Sequence, residues 1–153
     1  MKPLEKLKEL GLELPGVSIP GGNYASVNIR KDIAYVAIQF PIRNKQYFYQ
    51  GRLGDELTTE EGYQAMQLCA LNVLAQINKN PGFDRLIGLN HIDIYFQSTD
   101  SWDDAPKMAD VASDLFLNVL GDKGQHSRAI IGVHRLPRNL CAGLTATFTV
   151  KNK

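Results

Sequence analysis

The sequence predicts an α+β fold: a six-stranded mixed sheet with two helices on one face. Three observations carry the prediction. Several segments alternate apolar and polar residues with a period of two, two longer ones switch to a period of 3.6, and their order is three strands, helix, strand, helix, two strands. Two amphipathic helices are too few to cover both faces of such a sheet. One face is therefore expected to be closed by another copy of the chain, most economically in a cyclic homo-oligomer.

Composition sets the outer bounds. With 153 residues, 44% hydrophobic and 22% charged, the chain lies in the range of one soluble globular domain. A domain of this size buries roughly 68–70% of the surface its unfolded chain exposes, enough for a core without metal or cross-links. Seventeen Lys and Arg against sixteen Asp and Glu give a net charge of +1. Without clustered positive charge there is little counterion-release energy toward phosphate backbones or anionic lipid, so neither nucleic acid nor membrane is an expected partner. The opening Met1 to Leu10 interleaves charges with leucines and reads as neither signal peptide nor membrane span; a cytoplasmic location is expected. Cys69 and Cys141 are far apart and lack Cys-x-x-Cys spacing, which fits reduced thiols.

Leu4, Leu7 and Leu10 recur at helical spacing before Gly11, predicting a short helical extension over residues 1–14 attached to a main domain of residues 15–153. Leu14 to Tyr24 is dense in Pro and Gly and reads as an ordered loop. Strands are expected over Ala25 to Arg30 and Ile33 to Gln39, joined by the tight pair Lys31-Asp32, with a third over Gln46 to Arg52. Thr58-Thr59-Glu60-Glu61 matches a capping box, and Tyr63, Met66, Ala70, Val73, Leu74 and Ile77 fall on one helical face. Asn80-Pro81-Gly82 ends that helix. A strand follows over Leu86 to Gln97, then a polar turn, then a second helix with Met108, Val111, Ala112, Leu115, Phe116 and Val119 on its stripe and Gly121 as its stop. The last strands are Arg128 to His134 and Ala142 to Val150, around the turn Leu136-Pro137-Arg138-Asn139.

No dinucleotide, P-loop or nucleophile-elbow motif is present, so nucleotide and serine-hydrolase chemistries lack their usual supports. His91, His126 and His134 do not have the spacing of a ligand triad. His91 and Asp93 share a strand face and read as a hydrogen-bonded pair, and neither metal nor other cofactor is expected. Cys141 reads as a structural thiol. The most informative segment is His126 to Pro137. An arginine opening a mostly apolar strand presents a rigid fork suited to a carboxylate, at an edge where subunits could meet; the bland alternative is an ordinary salt bridge.

Together, Gly22-Asn23-Tyr24, Tyr35 to Pro41, Thr59-Glu60-Glu61-Gly62-Tyr63 and the Arg128 to Pro137 strand-turn resemble the RidA family, also called the YjgF family. The most specific element is the arginine followed nine residues later by the proline of Leu-Pro. The resemblance implies a chorismate-mutase-like fold and a homotrimer with clefts between subunits. For the deaminase branch it implies hydrolysis of reactive imines and enamines to 2-oxo acids and ammonia. It gives Arg128 as the grip on the substrate carboxylate and Tyr24 as a cleft tyrosine. The departures matter too. The branch's last-strand glutamate, which positions the attacking water, is replaced by Gly143; its Ser-Gly-Gln segment reads Ala37-Ile38-Gln39; and a helix asparagine falls at Asp110. Losing a general acid/base costs on the order of 10²–10⁴-fold in rate. The expected site is thus Arg128, Tyr24, Ala37, Ile38 and Gly143, holding a small carboxylate or imino acid. The other readings are a noncatalytic ligand-binding or protein-stabilising homotrimer and, against the charge balance, the endoribonuclease label attached to some relatives.

Overall fold

The computed structural model describes residues 1–152. Its elements are helix α1 (Pro3–Glu9), strands β1 (Val27–Arg30), β2 (Ile33–Gln39), β3 (Ile42–Arg43) and β4 (Gln46–Tyr47), helix α2 (Thr59–Lys79), strand β5 (Leu86–Phe96), helix α3 (Ala105–Leu120), and strands β6 (Ser127–Gly132) and β7 (Ala142–Val150). Five strands form one mixed sheet in the order β1-β2-β7-β5-β6, with β5 and β6 parallel and the other pairs antiparallel. The α+β architecture is as the sequence predicts, but the strand count of the sheet is not. The expected third strand, Gln46 to Arg52, shrinks to a two-residue arm of a separate β3–β4 hairpin. The cause lies in the backbone. Asn44 and Lys45 both take positive φ (52° and 65°), closing the hairpin, and Tyr49 takes φ 60°, which breaks the strand so that only a single bridge of Gln50 to Leu140 remains beyond it.

Helix α2 begins as its sequence dictates. The Thr58 hydroxyl accepts from the Glu61 amide at 3.1 Å, and Glu61 Oε1 accepts from the Thr58 amide at 3.1 Å, satisfying two otherwise unpaired helix donors. Its Met66, Ala70, Val73, Leu74 and Ile77 are buried against the sheet with Met108, Ala112, Phe116 and Val119 of α3. On the sheet, period-two alternation sends Leu144, Ala146, Phe148 and Val150 of β7 into this core and Thr145, Thr147 and Thr149 to the opposite face. That opposite face carries no helix and leaves Tyr35 and Ile131 exposed. Strand β6 ends the sheet on one side and β1 on the other.

Helix α1 was expected as an extension of the domain, yet its Leu7 lies in the core while Leu4 and Leu10 stay exposed. One apolar residue per two turns is enough to dock a short helix. Leu7→Ala is expected to lower the unfolding free energy by about 2–4 kcal/mol, the usual range for a buried leucine truncation, measurable by urea titration.

Candidate functional site

Arg128 sits at the second position of β6, the sheet's edge, opposite Ile92 of β5. Its side chain turns to the helix-covered side. Asp110 and Ser113, three residues apart on α3, present their side chains to it, and Arg128 Nη1 donates to Asp110 Oδ1 at 2.7 Å and to Ser113 Oγ at 3.1 Å. Both readings of the arginine therefore have substance. It does form an ion pair within its own chain, but Asp110 is 57% exposed and the pair uses one nitrogen. An ion pair so open to water contributes only about 0–1 kcal/mol, too little to lock the guanidinium. Nε and Nη2 have no hydrogen bond among the described residues, so two donors of the fork are left for a ligand.

Arg128 and Ser113 border a cleft of about 270 Å³, lined also by Leu117, Gln125 and His126. His126 Nδ1 lies 2.6 Å from the Gly124 carbonyl, and its Nε2 lies 2.9 Å from Ser113 Oγ. The local fold depends on Gly124, where a Cβ would overlap the carbonyl of Phe116. Only glycine lets the start of β6 approach α3 this closely. Sequence reasoning did not single out Ser113, Leu117 or Gln125 as cleft residues, and it left His126 without a role. The available signal was slight: His126 stands two residues before Arg128, just outside β6. A larger hollow of about 350 Å³ between the hairpin and α2, bordered by Arg43, Phe48 and Tyr49, shares no residue with the Arg128 cleft.

The other expected site residues gather elsewhere. Tyr24 lies in the loop before β1 with its hydroxyl accepting from the Gly21 amide at 3.1 Å. Ala37 and Ile38 belong to β2, where a register shift occurs against β7. Gly143 of β7 packs under them: a Cβ there would lie 2.7 Å from Ile38 Cδ1 and 3.0 Å from Phe40 Cε1. The space beside this backbone is thus filled with hydrocarbon. Gln39 behind it is buried and held, accepting from Ser18 Oγ at 3.2 Å and donating to the Ala37 carbonyl at 3.0 Å. In the sheet order β2 lies three strand spacings from β6 and β7 lies two, about 14 Å and 10 Å at 4.8 Å each, and Gly143 faces the helix-free side while Arg128 turns to the other. Within one chain, then, the Arg128 half and the Tyr24, Ala37, Ile38 and Gly143 half do not meet.

His91 Nε2 and Asp93 Oδ1 are 2.9 Å apart on the helix-free face, and Thr145 donates to the other Asp93 oxygen at 3.2 Å. No three His, Cys, Asp or Glu side chains converge as a metal site among the described residues. Both cysteines are buried and unpaired. Burial pushes the Cys141 thiol up to about 12, and burial with the nearby Cys141 drives Cys69 well above its ordinary value. At pH 8 a thiol of pKa about 12 is ionised to only about one part in 10⁴. Native protein is expected to resist iodoacetamide for hours at that pH while urea-unfolded protein is doubly labelled within minutes, as intact mass would record.

Residues 5–148 match the family described as "YjgF/chorismate mutase-like, putative endoribonuclease". The chain belongs to the YjgF/RidA family. The crystal structure of a "putative endoribonuclease" from Shewanella oneidensis superposes with a TM-score of 0.93 at 33% identity, covering 97% of this chain and 99% of that one. Protein TCP17 of Trypanosoma cruzi is 32% identical over 148 residues, 95% of this chain and 92% of its own. The E. coli TdcF structure with bound serine shares the fold at 14% identity and a TM-score of 0.64, over 91% and 94% of the two chains. YjgF/RidA membership accounts for the mixed sheet with one face uncovered by helices. No described helix is long and apolar enough to cross a membrane.

Proposed function

We propose that this chain is a cytoplasmic homotrimer whose cleft binds small 2-oxo or 2-imino acids through Arg128, and that it hydrolyses reactive imines to 2-oxo acids and ammonia. The observation that carries the reading is the Arg128 fork: an edge-strand guanidinium, 27% exposed, anchored through one nitrogen with two others unbonded. A carboxylate accepts such a pair of N–H donors in parallel, a geometry a lysine lacks. Assembly supplies what a single chain cannot. The exposed β6 edge and the helix-free sheet face, with Tyr35 and Ile131 on it, are the surfaces a neighbour would cover. A seam there would bring the Tyr24, Ala37, Ile38 and Gly143 half of one copy toward Arg128 of the next. Serine bound to the distant relative TdcF is a ligand of the same size and carboxylate chemistry.

A second reading, a binder without catalysis, is favoured by Gly143. Ile38 and Phe40 close off the place where the deaminase branch carries its glutamate. The deciding experiment generates 2-iminobutanoate in situ and follows ammonia and 2-oxobutanoate release against the uncatalysed rate, alongside light-scattering mass. Catalysis by a particle three times the 17.0 kDa chain supports the enzyme. A trimer that binds 2-oxobutanoate without accelerating hydrolysis supports the binder, and a monomer with neither property ends both.

A further inference from the structure

We propose that Asp110 makes the Arg128 cleft a charge filter, favouring ligands with no net charge, such as a protonated imino acid, over the 2-oxo acid product and more strongly over dicarboxylates. The inference rests on the reading that Arg128 holds a ligand carboxylate, and adds which carboxylates it keeps.

Asp110 Oδ1 accepts from Arg128 Nη1 at 2.7 Å, and Oδ2 has no hydrogen bond among the described residues. Ser113 Oγ takes the other bond of that nitrogen at 3.1 Å. A guanidinium and a carboxylate this close cancel at long range, so an arriving anion meets a neutral pair and not a lone cation. Arg128 is the one ion-pair partner of Asp110 among the described residues. The cleft lining of Ser113, Leu117, Gln125, His126 and Arg128 includes no carboxylate. Asp110 is therefore the negative charge tied to the site.

The filter acts without contact. A ligand carboxylate on Nε and Nη2 occupies the edge facing away from Nη1, so with hydrogen bonds of about 2.8 Å on both sides the two carboxylates stand roughly 7–8 Å apart. Asp110 is 57% exposed, which puts the surroundings toward the dielectric of water. For an effective dielectric of about 40–80, two negative charges at that separation raise a dissociation constant about two- to fivefold in 10 mM salt, where the Debye length is about 30 Å. A ligand whose carboxylate is balanced by its own cationic nitrogen feels repulsion and attraction together and is nearly unaffected.

This matters because hydrolysis changes the ligand's charge. The protonated imine is a zwitterion and the form most open to attack by water. The 2-oxo acid it becomes has given up the cationic nitrogen as ammonium and carries one net negative charge. Product formation thus switches the repulsion on and favours release. An acidic side chain adds a second negative charge and is disfavoured further.

The test compares the wild type with Asp110→Asn, which keeps an oxygen to accept from Nη1 and loses only the charge. Calorimetric titrations in 10 mM salt use 2-aminobutanoate, 2-oxobutanoate and 2-oxoglutarate, which carry zero, one and two net negative charges, with thermal melts to confirm folding. The expected result is a change below about 1.5-fold for 2-aminobutanoate, binding of 2-oxobutanoate tighter by about two- to fivefold, and a larger gain for 2-oxoglutarate. In 1 M salt, where the Debye length is about 3 Å, the ratios between the two proteins should shrink toward one. A carboxylate that only positions the guanidinium would instead give a loss on substitution, alike for all three ligands and insensitive to salt. A folded Asp110→Asn protein that binds 2-oxobutanoate no more tightly than the wild type, or gains equally on all three ligands, overturns the filter and leaves the Arg128 reading standing. Failure of both proteins to bind 2-oxobutanoate in 10 mM salt overturns both.

Discussion

Arg128→Ala is expected to weaken 2-oxobutanoate binding by about 100-fold or more while the protein stays folded. The two bonds that Nε and Nη2 would make to a carboxylate are charge-assisted, at about 1.5–3 kcal/mol each. Their loss exceeds the 2.7 kcal/mol or so that corresponds to two decades in affinity. Stability should fall by no more than about 2 kcal/mol, because the interactions removed within the chain are a water-exposed pair with Asp110 worth about 0–1 kcal/mol and one hydrogen bond to Ser113 Oγ worth about 1 kcal/mol. Arg128→Lys should recover only part of the affinity, since an ammonium cannot offer the parallel pair of donors. Isothermal titration of the three proteins checks this, with thermal melts to confirm folding. Near wild-type affinity in Arg128→Ala would remove the guanidinium from the binding site.

Gly143→Glu is expected not to create a better deaminase and to destabilise the chain by about 1–3 kcal/mol, the range for forcing extra atoms into a packed site. A Cβ at this position would already approach Ile38 Cδ1 at 2.7 Å and Ile38 Cγ1 at 3.1 Å. The carboxyl beyond it would then lie among Ile38 and Phe40, hydrocarbon that cannot solvate its charge. Adding Ile38→Ala should return part of the lost stability by giving the new side chain room. A single Gly143→Glu variant with unchanged stability and imine hydrolysis raised tenfold would show that the position still faces the reacting atoms. Urea unfolding and the ammonia assay on the same preparations decide between these outcomes.

What the sequence made legible was local or periodic. The Thr58–Glu61 box starts α2 where expected because both of its hydrogen bonds close within one turn. The threonine alternation of β7 sets that strand's faces, because every second side chain must enter the core. Arg128 on an edge strand was likewise readable. Gln46 to Arg52 misled because Tyr47, Phe48 and Tyr49 have strand-forming side chains, whereas the positive φ of Tyr49 belongs to the backbone and leaves no mark in residue type. For α1, the spacing of Leu4, Leu7 and Leu10 marks a helix but does not say which leucine enters the core, and only Leu7 does. Ser113 and His126 stayed hidden for a different reason. They lie 13 residues apart on different elements, and their contact exists because Gly124 lets β6 close on α3. The ion pair of Arg128 with Asp110 is a tertiary fact of the same kind.

The central claim, that the Arg128 guanidinium grips a small organic anion, is tested most directly by nitrogen-15 spectra of the arginine side chains during titration with 2-oxobutanoate. The Arg128 Nε–H signal, assigned by its loss in Arg128→Lys, should move downfield and saturate in step with the calorimetric binding curve. A saturable calorimetric isotherm accompanied by an unmoved Arg128 signal would contradict the account.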